Sequence, residues 1–144
     1  MFAPLITQPQ RSAALPALVL AALAGVLVAG TAFARIVRNT IDPVAFVTHQ
    51  GRHLVVSGPV ACDRTEWIDQ RVTVTQRATG AVAEGRLRLV CGTVEQQWEL
   101  QVATHGNEAF EPGPATAVAV AVAGSHGVAT DAHQWLVNIT LVAR

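Results

Sequence analysis

From Val44 to Ala143, apolar and polar side chains alternate with a period of two in one segment after another. Successive side chains of a β-strand point to opposite faces, so this alternation predicts half-buried strands, and helical spacing is rare. Turn residues such as Gly, Pro and Asn separate the segments at near-regular intervals. The pattern predicts an all-β sandwich of about seven antiparallel strands. These are Val44–Thr48, His53–Cys62, Arg71–Ala78, Ala83–Cys91, Val94–Thr104, Ala115–Ala123 and Gln134–Ala143.

The first 34 residues differ from this pattern and predict export. An apolar run from Ala13 to Phe33 follows a short leader in which Arg11 is the only charged residue. The run ends in Ala32-Phe33-Ala34, and small residues at Ala32 and Ala34 suit the −3 and −1 positions of a signal-peptidase site. The predicted organisation is a signal peptide at 1–34 and a single β-sandwich domain at 35–144, secreted or held in the periplasm or cell envelope.

The same apolar run also permits a membrane anchor at residues 13–34. About 20 predominantly apolar residues are enough to span a bilayer. Arg35 and Arg38 follow the run and would suit a cytoplasmic flank. Pro16 and the many Ala and Gly residues favour a cleaved signal instead. A membrane partner is therefore expected only if the N-terminal segment is retained.

Both cysteines of the chain, Cys62 and Cys91, lie in predicted strands. In an exported protein, two cysteines at this separation most simply pair. Cys62 shares its strand face with Val56, and Cys91 shares its face with Leu89, so both thiols are predicted to point inward. The sequence therefore predicts a Cys62–Cys91 disulfide within the core.

Charge and nucleophile patterns argue against several classes of function. The mature part carries nine Arg and ten acidic residues, which leaves no basic footprint for nucleic acid. Ser125 stands in Gly124-Ser125-His126-Gly127, which is not the Gly-x-Ser-x-Gly elbow of serine hydrolases. No pair of carboxylates is tied to a cleft by its spacing. We predict no enzymatic activity, no cofactor and no nucleic-acid partner.

One group of residues has spacing that suits a metal ion. Asp131 and His133 are two apart on a predicted strand and share a face, and His126 lies on the preceding turn. A carboxylate and imidazoles are suitable ligands for zinc or copper. The alternative is a polar turn that enters the last strand, and we favour it. The prediction is no metal, with Asp131, His133 and His126 as the candidates.

The predicted strand Ala115–Ala123 has no polar face. Valines occupy one side and alanines the other, and the strand lacks charge and interior proline. Such a strand is either buried on both sides or offers one side to something else. An exposed edge here would also invite pairing with another chain. We therefore predict an interaction surface at Thr116, Val118, Val120 and Val122.

Three stretches resemble small exported immunoglobulin-like β-sandwich proteins of high-GC bacteria, a largely uncharacterised secreted group. They are His53-Leu54-Val55-Val56-Ser57-Gly58, Val72-Thr73-Val74-Thr75-Gln76-Arg77 and Gln134-Trp135-Leu136-Val137. The resemblance covers the whole mature chain and implies an immunoglobulin-like fold without an activity. In antibody-type domains the bridge joins the second and sixth strands, whereas Cys91 here closes the fourth predicted strand.

These observations favour a non-enzymatic module that binds a protein or glycan partner at the cell envelope or outside the cell. A self-assembling structural subunit that pairs through the 115–123 strand is the alternative. A small metal-binding protein is a third interpretation, and it depends on Asp131, His133 and His126.

Overall fold

A computed structural model describes residues 35–125 and 127–144, without the side chain of Ser125. The predicted signal peptide or anchor, with its cleavage residues Ala32 and Ala34, lies outside the described residues. No helix of the described part is long and apolar enough to cross a membrane. The described chain consists of strands, turns and one three-residue 3-10 turn at His49–Gly51, which confirms the all-β class.

Eight strands form one sheet with the order β1-β3-β2-β8-β7-β4-β5-β6, and β6 also pairs with β3. Strands β2 to β8 thereby close the sheet on itself, while β1 pairs with β3 beyond the end of the β2–β3 pairing. The pairing between β5 and β6 covers only residues 82–84 and 103–105, so these two strands separate over the rest of their length. The strands are β1 (Ile36–Asn39), β2 (Val44–Thr48), β3 (His53–Cys62), β4 (Glu66–Thr75), β5 (Val82–Cys91), β6 (Gln96–His105), β7 (Gly113–Ser125) and β8 (Val128–Ala143).

The structure corrects the predicted strand set in three places. β2 runs parallel to the end of β8, with Val44 beside Thr140, so the prediction of antiparallel strands throughout is wrong. β1 was not predicted, because four residues are too few to show an alternation. The third predicted strand begins at Arg71, yet β4 begins at Glu66. Polar Gln70 at an inward position hides the alternation there.

Most predicted inward positions lie in the core. Trp98, Leu100 and Val102 of β6 and Ile139 and Leu141 of β8 are buried, as the alternation predicts. The inward face of β7 consists of alanines alone. These are Ala115, Ala117, Ala119, Ala121 and Ala123, and none is more than 7% exposed. Because the alanines fill the inward positions of β7, its valines face outward.

The predicted disulfide is confirmed. Cys62 at the end of β3 and Cys91 at the end of β5 are bonded, with their Cα atoms 5.7 Å apart. Both side chains are buried. The Cys62 N–H also donates a hydrogen bond to the Gly92 carbonyl at 2.8 Å. The bridge therefore holds together two strands that are not neighbours in the sheet order.

A buried amide attaches the β6–β7 loop to the β4–β5 turn. The Gln76 side chain is 1% exposed; its Nε2 donates to the Glu111 carbonyl at 2.8 Å, and its Oε1 accepts from the Glu111 N–H at 2.9 Å. The Thr79 hydroxyl donates to the same Oε1 at 3.1 Å. With these hydrogen bonds the amide avoids the cost of an unpaired buried polar group.

Candidate interaction surface

The predicted interaction residues lie in a row down the outer side of β7. β7 pairs with β4 on one side and with β8 on the other, so its outer side chains lie in the middle of a sheet face. Val120 is 37% exposed, and Thr116, Val118 and Val122 are partly exposed. We call these four residues the valine stripe. The stripe is apolar apart from the Thr116 hydroxyl, in contact with solvent and flanked on both sides by other strands.

Strand register aligns the valine stripe with its neighbours in four rows across β8, β7, β4 and β5. Side chains in directly opposite positions of paired strands are close enough to form one continuous surface. The stripe is therefore bordered by uncharged residues on β8, by polar or charged residues on β4, and beyond these by charged residues and Val82 on β5. From β8 to β5 the rows are Ala132, Val122, Asp69 and Arg88; Gln134, Val120, Arg71 and Arg86; Leu136, Val118, Thr73 and Glu84; and Asn138, Thr116, Thr75 and Val82.

Arginines and carboxylates form a charged border along β4 and β5. The Arg71 guanidinium donates to the Glu84 carboxylate at 2.7 Å, and this hydrogen bond lowers the pKa of Glu84 and raises that of Arg71. Arg88 lies 3.6 Å from the Asp69 carboxylate. Arg86 has no ion pair among the described residues, so the border carries an excess of one positive charge.

An exposed tryptophan lies at one end of this face. Trp67 is 49% exposed, and the Arg88 guanidinium lies 5.0 Å from the centre of its ring, which is cation–π geometry. A shallow groove of about 530 Å³ runs between Arg86, Arg88 and Val120. A smaller one of about 240 Å³ continues beside Trp67 and Val128. The valine stripe, the charged border and Trp67 therefore lie on one side of the sheet, which we call the outer face.

The strand order argues against the alternative interpretation, in which copies of the chain pair through residues 115–123. β7 pairs along its length with β4 and β8, so its backbone donors and acceptors are already used. A second chain has no open edge to join at this strand. The outward side chains of β7 can still contact a partner, whereas its backbone cannot.

The candidate metal residues do not form a site in the described part of the chain. One Asp131 carboxylate oxygen accepts from the Ile36 N–H at 2.8 Å, and the other accepts from the Ala132 N–H at 2.9 Å. The His133 ring packs against Trp135, with ring centroids 5.5 Å apart. His126 lies outside the described residues. Among the described residues, no three His, Cys, Asp or Glu side chains are grouped as metal ligands would be.

Sequence reasoning found the valine stripe but missed the rest of the outer face. Trp67 and Asp69 lie before the predicted strand at Arg71–Ala78, although with Arg71 and Thr73 they continue an outward period of two. Leu136, which is 65% exposed, belongs to the surface because its register places it beside Val118. A local sequence pattern does not determine the register between distant strands. These neighbouring residues can therefore be identified only from the structure.

No model of a known protein family matches the chain, and no curated protein is significantly similar to it. The geometry of the outer face therefore carries the functional argument alone.

Proposed function

We propose that this chain is an exported, immunoglobulin-like, non-enzymatic module whose outer face binds another protein. Two features of the sheet support the immunoglobulin-like assignment. β2 lies between β3 and β8, antiparallel to the first and parallel to the second. The order β8-β7-β4-β5 forms one half of the sheet, and β3-β6 forms the other. The buried Cys62–Cys91 bridge is consistent with an oxidising extracellular or periplasmic location.

The valine stripe is the observation that carries the binding proposal. Isolated apolar residues are ordinary on protein surfaces, whereas a contiguous apolar strip with a polar rim marks an interaction site. Here the strip is bordered by Arg71, Arg86 and Arg88, and Trp67 lies at its end. Arg and Trp are enriched at protein–protein interfaces and among the residues that dominate their binding energy. This composition favours a protein partner over a glycan.

A cross-linking experiment on the purified protein tests this proposal against envelope and extracellular fractions of the native host. Val120→Cys, labelled with a short photoactivated cross-linker, should give one discrete adduct with a protein component of those fractions. Adding Val118→Glu to the labelled variant should reduce that adduct at least about tenfold, because a carboxylate would be buried unpaired in the interface.

The control places the same label on a more exposed apolar residue away from the outer face. Val94, between β5 and β6, is 80% exposed, and Val94→Cys should give no discrete adduct. Equal labelling from both positions would indicate non-specific contact and contradict the proposal. A Val120 adduct that survives Val118→Glu would place the contact elsewhere.

The proposed export also predicts the mass of the mature protein. The protein from its native host should be a soluble species that starts at Arg35, since cleavage after Ala34 removes the apolar run. Reduction should add about 2 Da, because opening the Cys62–Cys91 bridge adds two hydrogens. Intact mass spectrometry of medium, periplasmic and membrane fractions measures both. A full-length membrane-bound species would contradict cleavage and identify residues 13–34 as an anchor.

A further inference from the structure

Among the described residues, β8 has an unpaired backbone edge opposite β7. Toward β2, its pairing covers only residues 140–143. Near the start of β8, the Asp131 carboxylate accepts a hydrogen bond from the Ile36 N–H of β1. Between these two contacts, no described strand pairs with residues 132–138 on that side. Seven residues of extended strand span roughly 23 Å, which is long enough to pair with another strand.

The direction of the free backbone groups follows from the hydrogen bonds at the end of β8. The Thr140 N–H donates to the Pro43 carbonyl at 2.8 Å, and the Arg144 N–H donates to the Val47 carbonyl at 3.2 Å. Backbone groups alternate sides along a strand, so the N–H and C=O of Ala132, Gln134, Leu136 and Asn138 point to the same side as those of Thr140. The register with β7 is unbroken over this stretch. Four residues therefore present both a donor and an acceptor at the edge.

The β8 edge lacks the protection that the other unpaired edges of the sheet have. Natural proteins block exposed edges with charges, prolines or bulges. The unpaired part of β5 carries Arg86 and Arg88, and the unpaired part of β6 carries Glu99. From Ala132 to Ala143, by contrast, β8 contains no Asp, Glu, Arg, Lys or Pro. The sequence of β8 therefore permits pairing with another strand, whereas the charged residues of β5 and β6 oppose it.

We propose that β8 pairs antiparallel with β8 of a second copy of this chain, so that the protein is a two-fold symmetric dimer. The four free residues are evenly spaced about Trp135, which makes the edge complementary to itself. With Trp135 at the two-fold axis, Gln134 of one copy faces Leu136 of the other, and Ala132 faces Asn138. All four donors and all four acceptors of each edge are then used. An isologous contact of this kind closes at two copies.

This dimer would join the outer faces of the two copies. The order β5-β4-β7-β8 of one copy would continue into β8-β7-β4-β5 of the other as one eight-stranded sheet. The two valine stripes would then lie on the same side, each separated from the axis by its own β8. A dimer of this form presents two copies of the proposed binding surface in one plane, and two linked sites strengthen binding to a partner that spans both.

Proline at Leu136 tests backbone pairing directly. Leu136→Pro removes an N–H that points to the free edge and leaves the hydrogen bonds to β7 in place, and proline is tolerated at such edge positions. The wild-type protein should sediment as a dimer, and Leu136→Pro should remain folded and dissociate at least about 100-fold more readily. Leu136→Thr removes the large apolar side chain, keeps the N–H and should stay dimeric. Val120→Glu changes the outer face alone and should also stay dimeric.

Hydrogen exchange provides a readout that needs no variant. The amide hydrogens of Gln134 and Leu136 should exchange slowly at concentrations where the dimer forms and quickly after dilution. A wild-type monomer at high concentration would overturn the proposal. Loss of the dimer in Val120→Glu, with the dimer retained in Leu136→Pro, would also overturn it, because copies would then associate through their outer faces. If Leu136→Pro unfolds, Gln134→Pro and the hydrogen-exchange data test the pairing of β8 in its place. None of these results depends on the partner proposed for the outer face.

Discussion

Removal of the Cys62–Cys91 bridge should lower the free energy of unfolding by roughly 3–4 kcal/mol, because the bridge closes a loop of about 30 residues in the unfolded chain. The bridged residues are 29 positions apart, and both are buried. Domains of this size have total stabilities of about 5–15 kcal/mol, so the loss is a large fraction of the whole. The double substitution Cys62→Ala and Cys91→Ala should lower Tm by roughly 15–25 °C. Urea unfolding and thermal melts measure the two quantities.

The reduced wild-type protein is the matched control for this prediction. It lacks the covalent link and keeps both sulfur atoms in the core, so it separates loss of the link from loss of packing. Most of the loss should already appear on reduction, with a smaller further loss in the double substitution. A reduced protein within 1 kcal/mol of the oxidised form would show that β3 and β5 are held together without the bridge.

The sequence predicted the strands better than their arrangement. Alternation identified the inward faces of β3, β6 and β8 because each carries apolar residues at most of its inward positions. It found the second half of β4, where Val72 and Val74 are buried, and missed the first half, where Gln70 lies inward and is 2% exposed. The Asn39 side-chain amide donates to Gln70 Oε1 at 3.0 Å, so a partner about 30 residues away pairs the oxygen of this buried amide, while Gln70 Nε2 has no partner among the described residues. A local pattern contains no information about such a partner.

The interaction surface shows the same division. Residues 116–122 gave the valine stripe because two opposite apolar faces are visible within one strand. The sequence does not determine which face of this strand is buried, and the structure places the smaller alanines inside. The hypothesis of assembly through the backbone of β7 required β7 to be an edge strand. Whether a strand lies at the edge or in the centre of a sheet follows from the strand order, which depends on contacts between distant segments. The parallel β2–β8 pair joins segments almost 100 residues apart, and it sets where the unpaired edge of β8 ends.

Substitution of Gly58 should have the second large effect on stability. The segment between β1 and β2 crosses directly over β3 at this glycine. The Asp42 N–H donates to the Ser57 carbonyl at 2.8 Å, and the Ser57 hydroxyl donates to the Asp42 carboxylate at 2.7 Å. A Cβ at Gly58 would overlap the Thr40 carbonyl oxygen and lie 2.9 Å from its carbon. Gly58→Ala must displace backbone, so we expect a loss of roughly 3 kcal/mol in urea unfolding.

Gly92→Ala is the matched control, because a Cβ at Gly92 meets nothing within 4 Å and its backbone is outside the left-handed region. This substitution should change the free energy of unfolding by less than about 0.5 kcal/mol. Hydrogen exchange should show where Gly58→Ala acts: the Asp42 amide should lose protection more than the Val102 amide, since the clash displaces the crossing segment before it disturbs the β3–β6 pairing. Equal stability of the two variants would mean that the segment between β1 and β2 is not held against β3. In that case the contacts that fix β2 between β3 and β8 would have to lie nearer to Val44.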